Sequence, residues 1–376
     1  GADGLTLCVP YADDHYYTAR PTIAVPRPDS TSANKAIALN DRFGLPPGMN
    51  AMLEPYQAGH LLFVHAVGMP NWSRSHFDAQ HWMELGTRDY PSLTTGWLAR
   101  HLQSVGPMRG NAILRGVSMT YGMRQTLSGA PLTLPVPEPE NFGYSGWWWY
   151  EQELVSKIHG AYARMEDPVR AAAAGTQETI ALLDAIDFAG YVPGGSVVYP
   201  DNAFGKSMKA AAALIRADVG IEAIHVDLDG WDTHSEQGSA DGFMNQLMVQ
   251  LSGGLHSFWK DLTSVGRSNW TLAAISEFGR NVRQNASAGT DHGFGNAMML
   301  LGPSVIGGRV LTNWPGLHPD QLFEGADLAA TIDIRDVLAE VLELRVENKA
   351  LDRVFPGYRP KFRGVVRPRQ TGRTKT

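Results

Sequence analysis

Three short motifs combine acidic and imidazole side chains, and each adjoins an apolar run that is typical of a β-strand. They are GWDTH at residues 230–234, SEFGR at 276–280 and GTDHG at 289–293. In open α/β sheets, ligands bind in the crevice outside the carboxyl ends of the strands. Oxygen and nitrogen donors gathered at such an edge favour a divalent metal that hydrolyses or transfers an ester.

The first and third motifs supply the clearest candidate metal ligands. Asp232 and His234 are two residues apart, so both side chains point to the same side of an extended backbone. The alternative is a capped helix start with a hydrogen-bonded histidine. Asp291 and His292 lie in a glycine-flanked loop that has the freedom to wrap around a cation, or that forms a simple polar turn.

Two further motifs supply candidate catalytic groups. Glu277 can ligate a metal and Arg280 can pair with a bound anion, although a loop salt bridge is the commoner arrangement. The stretch SRSHFDAQ at 73–80 offers Ser73 or Ser75 as a nucleophile, with Arg74 to stabilise the anion. The same stretch also reads as a helix N-cap, which taken alone is the stronger interpretation.

The elements that position these motifs alternate between strands and helices. Strands are predicted at 61–67, 112–114, 221–228, 270–275 and 297–301, and helices at 150–165, 175–188, 204–218, 240–263 and 332–344. This alternation predicts an α/β fold with a mostly parallel central sheet and helices on both faces. We expect one domain over 1–376, in which the loop-rich segment 120–200 forms an inserted cap or subdomain.

Composition excludes several classes of protein. The formal net charge of −6 gives no indication of nucleic-acid binding or of an anionic membrane partner. The single cysteine, Cys8, excludes a disulfide framework and a cysteine-rich metal site. No apolar run approaches the roughly 20 residues that span a bilayer. The basic C-terminal tail, residues 359–376, is expected to be solvated or loosely docked.

Taken together, the motifs resemble the DUF1501 family, a group similar to the alkaline phosphatase/sulfatase superfamily. GADGL at 1–5 and DVLAEVL at 336–342 complete the set, which spans nearly the whole chain. The resemblance implies an alkaline phosphatase-like fold and a bacterial protein exported to the periplasm or secreted, often by a twin-arginine signal. A strand that usually precedes GADGL is absent here, so we expect the given chain to be processed or truncated.

The resemblance also implies a set of ligands for one or two divalent metals, commonly zinc, magnesium, calcium or manganese. These candidate ligands are Asp3, Asp232, His234, Glu277 and His292, with Asp291 behind them. Glu277 lacks the adjacent histidine that is usual in the superfamily, which leaves the number of metals open. CVPYA at 8–12 does not complete the sulfatase nucleophile motif, so sulfatase chemistry through a modified cysteine is not expected.

An aromatic run at 147–150 follows the predicted irregular region. Trp147, Trp148 and His76 are the candidate substrate contacts, although for the aromatic run a purely structural role, in which the rings attach the insertion to the body, is the slightly stronger interpretation. The sequence thus predicts an exported metal-dependent hydrolase of small or polymeric phosphate or related esters. The alternatives are a non-catalytic surface or assembly protein, with a protein partner at the aromatic insertion or the basic tail, and a metal enzyme of other chemistry.

Overall fold

A long buried strand, β3 (Leu61–Gly68), lies at the centre of the fold. The computed structural model describes residues 1–70, 73–90, 92–144 and 151–369, so the predicted contacts Trp147 and Trp148 lie outside the described residues. The other strands in these ranges are β1 (Ile37–Ala38), β2 (Gly44–Leu45), β4 (Gly116–Ser118), β5 (Thr133–Pro135), β6 (Ala223–His225), β7 (Leu272–Ala274), β8 (Asn296–Leu301), β9 (Arg309–Leu311) and β10 (Ile332–Asp333). The helices in the same ranges are α1 (Gly4–Leu7), α2 (Asp14–Ala19), α3 (Leu53–Gln57), α4 (His76–Leu85), α5 (Trp97–Ser104), α6 (Glu151–Tyr162), α7 (Val169–Asp184), α8 (Ala203–Ala217), α9 (Gly242–Ser264), α10 (Ile334–Val346) and α11 (Leu351–Val354).

The largest sheet has five strands of mixed direction. Its order is β10-β3-β8-β7, and β9 pairs with β3 beside β10. β9 and β10 run parallel to β3, whereas β8 runs antiparallel to both β3 and β7. The prediction of a mostly parallel sheet is therefore wrong. β7 returns into β8 through a segment without a helix, whereas a parallel pair is usually joined by a helical crossover.

Helices cover both faces of this sheet, as predicted. Because side chains alternate along a strand, Leu61 and Phe63 of β3 join a core that includes residues of α8 and α9. Leu62 and Val64 join a second core with residues of α10 and α11. The helix predictions at 204–218 and 240–263 are confirmed by α8 and α9.

A second, three-stranded sheet of order β5-β4-β6 is parallel throughout. Its middle strand is β4, not the predicted strand at 112–114. The predicted apolar run ends at Leu114, which is buried. The hydrogen bonds between β4 and its neighbours begin beyond this residue, where the Arg115 amide donates to the Leu132 carbonyl. The strand itself contains Gly116 and Ser118, so its pairing depends on neighbouring strands more than on hydrophobic pattern.

The described part of the basic tail is docked through its middle, while most of its other residues are exposed. The two carboxylate oxygens of Glu340 on α10 accept the amides of residues 363–366. Val365 and Val366 are buried. No helix among the described residues combines the length and the apolar character that crossing a bilayer requires.

Candidate functional site

One edge of the mixed sheet gathers three of the segments that carry the candidate residues. His76 begins α4 shortly after the carboxyl end of β3, and Glu277 follows the carboxyl end of β7. His292 precedes β8. Because β8 is antiparallel to both neighbours, its amino end lies beside their carboxyl ends. The mixed directions of the strands thus bring all three segments together.

The fourth segment enters from the parallel sheet. β6 leads into the loop that carries Asp232 and His234, and this loop pairs with the loop before β8. The Thr290 amide donates to the Thr233 carbonyl at 3.0 Å, and the Gln237 amide donates to the Ala288 carbonyl at 3.0 Å. These backbone hydrogen bonds fix the two ligand-bearing loops relative to each other.

The glycines of the GTDHG motif allow this close packing of backbones. A Cβ at Gly289 would lie 2.2 Å from the His234 carbonyl carbon. A Cβ at Gly293 would lie 2.5 Å from the Arg280 carbonyl carbon. Both distances are far inside van der Waals contact, so no larger residue fits at either position without displacing a ligand-bearing segment.

Three imidazoles converge on one carboxylate oxygen. The Nε2 atoms of His292, His234 and His76 lie 2.9, 3.2 and 3.3 Å from Oδ1 of Asp232. The Nε2 atoms of His234 and His292 are 3.0 Å apart. His76, Asp232 and His292 each offer a ligand atom within 4.8 Å of the other two, as a shared metal ion requires.

The opposite nitrogen of each ring is held by an oxygen. Nδ1 of His292 lies 2.7 Å from the carbonyl of Arg74, which can only accept a hydrogen bond. Nδ1 of His76 and of His234 lie 2.8 and 2.9 Å from carboxylate oxygens of Glu277 and Asp291. Such partners place the ring proton on Nδ1 and leave Nε2 as the free electron pair, as in the histidine ligands of metal sites.

This donor set fits a divalent cation. Three Nε2 electron pairs and a carboxylate face one another, and positive charge must lie between them, either as protons on the rings or as a metal ion. Imidazole with carboxylate suits zinc and similar transition ions better than magnesium or calcium, which prefer oxygen ligands alone. Two histidines and one carboxylate are a usual ligand set of catalytic zinc.

The groups around the cluster keep it charged and rigid. Partial burial opposes ionisation of Asp232, but the neighbouring His292 imidazole and the Arg280 guanidinium hold its pKa well below its usual range. The buried ring of Phe278 packs against the imidazoles of His76 and His292, with centroids 4.9 and 4.8 Å away. Phe278 therefore limits the rotation of two candidate ligands.

Arg280 is predicted to pair with a bound anion, but its side chain contacts the protein itself. Its guanidinium is buried and donates to the carbonyls of Gly1, Thr290 and Trp231 and to the Asp232 carboxylate. These bonds use four of its five N–H donors on protein acceptors, so Arg280 is placed to orient Asp232 more than to clamp a substrate anion.

The predicted serine nucleophiles also have structural partners. Ser75 is the N-cap of α4, and its hydroxyl accepts the Asp78 amide. The Ser73 hydroxyl accepts the Ser75 amide and lies 3.4 Å from the Asp78 carboxylate. The capping interpretation is therefore confirmed for Ser75, and both serines help to begin the helix that carries His76.

Asp3 is not brought into the cluster. It is fully buried, and its carboxylate accepts two hydrogen bonds from Arg20 and one each from Thr6 and Gln237. Burial opposes its ionisation, but Arg20 holds the pKa of Asp3 below its usual range. The carboxylate is thus satisfied as the partner of a buried arginine.

An open cleft of about 490 Å³ leads to the cluster. His234, Asp291 and His292 line one part of it, together with Arg74, Asn281, Glu324 and Ala326. Arg74 reaches Asp327 at 2.6 Å and Glu324 at 3.1 Å. A small polar molecule can therefore reach His292, with a guanidinium and several carboxylates around it.

Some residues of the site carry only a weak signal in the sequence, or none. Phe278 could have been suspected because it lies inside the SEFGR motif between two predicted site residues. Gln237, which hydrogen-bonds beneath the ligand loops, looks like any glutamine of a polar loop. His76 was predicted as a substrate contact, whereas its ring lies among the candidate ligands.

Fold and site together define a mixed α/β protein with an imidazole–carboxylate cluster at the floor of an open cleft. The chain belongs to the DUF1501 family, described as a protein of unknown function, whose model matches residues 30–349. The chain has no significant match among curated proteins or among solved structures. The comparisons thus give the family and no support for the likeness to the alkaline phosphatase/sulfatase superfamily.

Proposed function

We propose that this protein is a metal-dependent hydrolase of a phosphate or related ester. The observation that supports it best is the convergence of three Nε2 atoms on Oδ1 of Asp232, while each Nδ1 is held by an oxygen acceptor. In this proposal His76, Asp232 and His292 hold the cation. A divalent cation at these ligands supplies Lewis-acid activation of an ester or of a water.

The other side chains of the cleft suit binding and proton transfer. Arg74 is a cation on the cleft wall next to the cluster, suited to an anionic ester, although Asp327 and Glu324 offset part of its charge. His234 faces the cleft with Asp291 behind it, the arrangement of an oriented histidine that can take a proton at Nε2.

Water is favoured over serine as the attacking group. Ser75 serves as a helix cap, and the Ser73 hydroxyl already accepts a backbone amide. The Ser73 hydroxyl also donates to the exposed Asp78 carboxylate, but at 3.4 Å this contact is long, so it activates the serine only weakly as a nucleophile. The proposal therefore predicts hydrolysis without a covalent seryl intermediate.

Metal analysis and turnover test the proposal together. We expect the purified chain, loaded with Zn²⁺ and desalted, to retain a stoichiometric amount of zinc and to hydrolyse at least one of an aryl monophosphate, an aryl phosphodiester and an aryl sulfate. Asp232→Asn and His292→Ala should lose both properties. His225→Ala is the matched control, because it removes another histidine–aspartate pair, with Asp227 at 2.9 Å.

The outcomes separate the proposal from its rivals. Full zinc retention by Asp232→Asn and His292→Ala would remove its basis. A wild-type chain with neither zinc nor turnover would favour a non-catalytic surface or assembly protein instead. His234→Ala distinguishes two possible roles of that residue. Loss of bound zinc would show that His234 is a ligand, whereas loss of turnover alone would show that it accepts a proton.

Export to the periplasm or the exterior is also part of the proposal, and it rests on the family resemblance alone. Fractionation of cells that express the full gene product, with the protein detected in each fraction, would test it. A protein confined to the cytoplasm would contradict the predicted location.

A further inference from the structure

A buried glutamine lies beneath the cluster and touches both of its ligand loops. Gln237 is fully buried, and its Oε1 accepts the hydroxyls of Thr233 at 2.9 Å and Thr290 at 2.6 Å. Thr233 stands between Asp232 and His234, and Thr290 directly precedes Asp291 and His292. One side-chain oxygen therefore joins the two segments that carry most of the candidate ligands.

The amide of Gln237 has one possible orientation. Its Nε2 donates to Oδ2 of Asp3 at 2.7 Å, and that oxygen can only accept because Asp3 is an ionised partner of Arg20. A flipped amide would face Asp3 with an oxygen and the two threonine hydroxyls with donors. The polarity of the network is thus fixed from Arg20 to the threonines.

Through Arg20 the network also reaches the segment of Glu277 and Arg280, whose side chains hold His76 and Asp232. The Arg20 guanidinium donates to the carbonyls of Asn281 and Val282, which follow the segment of Glu277 and Arg280. The Asn281 side chain in turn donates to the His292 carbonyl at 2.9 Å. Three loops that lie far apart in the sequence are therefore held on one buried polar network.

We propose that Gln237 is a positioning residue for the cation-binding cluster, an inference that rests on the proposed function. Residues that orient metal ligands from behind typically contribute a factor of about 10–100 in metal affinity. Gln237 acts through the threonines on the backbone of the ligand loops. We therefore expect its loss to weaken Zn²⁺ binding by about 10-fold, at the lower end of that range.

Calorimetric titration with Zn²⁺ tests the inference on the full chain. Thr233→Val and Thr290→Val remove one hydroxyl each and keep the shape of the side chain, so they complement the harsher Gln237→Ala if that variant fails to fold. Each should raise the Zn²⁺ dissociation constant by about 10-fold. Thr233→Ser retains the hydroxyl and should bind as the wild type does.

A control that also removes one buried hydrogen bond separates an effect on Zn²⁺ binding from a general loss of stability. Tyr199→Phe removes a buried hydrogen bond to Asp261, 2.8 Å long, in the core beneath α8 and α9. It should lower the melting temperature without changing the dissociation constant. Threonine and glutamine variants that lose stability but bind Zn²⁺ like the wild type would overturn the inference alone. A wild-type chain that binds no Zn²⁺ would overturn the proposed function, and the inference with it.

Discussion

The Nε2 atoms of His234 and His292 lie 3.0 Å apart, and each also faces Oδ1 of Asp232. Both rings direct Nδ1 to an oxygen acceptor, so neither neutral ring has a proton left for this contact. Two Nε2 electron pairs at this distance repel each other unless a positive charge, a proton or a cation, lies between them. On the proposed function, we therefore expect the cluster to be sensitive to cations.

The first prediction follows from that sensitivity. Zn²⁺ should raise the melting temperature of the wild type, because a ligand at 100 times its dissociation constant adds about 2.7 kcal/mol to folding. His292→Ala removes the ring that contacts both His234 and Asp232, so its melting temperature should not respond to Zn²⁺. His225→Ala, the control, should respond fully. Differential scanning calorimetry with and without Zn²⁺ measures the effect, and an equal response of His292→Ala would contradict it.

The second prediction concerns the packed backbones of the ligand loops. Gly289→Ala places a methyl group 2.2 Å from the His234 carbonyl carbon, and relief of that overlap must move the loop. We expect a loss of about 1–3 kcal/mol in the free energy of unfolding, together with weaker Zn²⁺ binding. Gly122→Ala is the control, since nothing lies within 4 Å of its Cβ position. Denaturant unfolding measures the free energy of unfolding of both variants. Equal values would contradict the prediction, because the loop would then accommodate the methyl group without loss of stability.

The sequence predicts the cluster better than it predicts the sheet. Asp232, His234 and His292 were identified because acids and imidazoles beside apolar runs carry an obvious chemical signal. The direction of β8 carries no such signal, because an apolar run looks the same in a parallel and an antiparallel strand. The segments still meet, since the amino end of an antiparallel strand lies at the same edge as the carboxyl ends of its neighbours.

The sequence fails where a polar side chain has a structural partner far away in the chain. Arg280 is predicted as a site residue on chemical grounds and Asp3 through the family resemblance, yet each is buried and hydrogen-bonded to other parts of the protein. Some of these partners lie far away in the sequence, since Arg20 is 17 residues from Asp3 and the Gly1 carbonyl is 279 residues from Arg280. Such pairings depend on tertiary packing and cannot be predicted from spacing.

The third prediction is a pH dependence of stability that comes from His65. This ring is fully buried on β3, and burial lowers its pKa to about 4. Its Nε2 donates to the Cys8 carbonyl, and its Nδ1 accepts the Ala66 amide, a bond that protonation would break. The unfolded chain therefore binds one more proton than the folded chain between about pH 4 and 6.5, so stability must rise with pH across this window.

The size of that effect can be measured by substitution. Over the full window the contribution of His65 is up to about 3 kcal/mol. His65→Gln should reduce the dependence of the unfolding free energy on pH between 4 and 6.5, whatever it does to absolute stability, and buried His101, whose pKa is also lowered to about 4, should keep part of it. His318→Gln, at a half-exposed position, should leave the slope unchanged. Denaturant unfolding at several pH values compares the three proteins, and an unaltered slope in His65→Gln would exclude this origin.

The last prediction separates a structural from a ligating role for Asp3. Removal of one partner of a buried ion pair leaves an uncompensated charge, so Asp3→Ala should cost about 3–5 kcal/mol through the stranded Arg20. Replacement of both partners, in Asp3→Leu/Arg20→Met, should recover much of that loss because no buried charge remains. Both proteins should still bind Zn²⁺ with the stoichiometry of the wild type, although less tightly, since Asp3 anchors Gln237. Loss of a whole equivalent of Zn²⁺ from the stable double variant would show instead that the Asp3 carboxylate ligates metal.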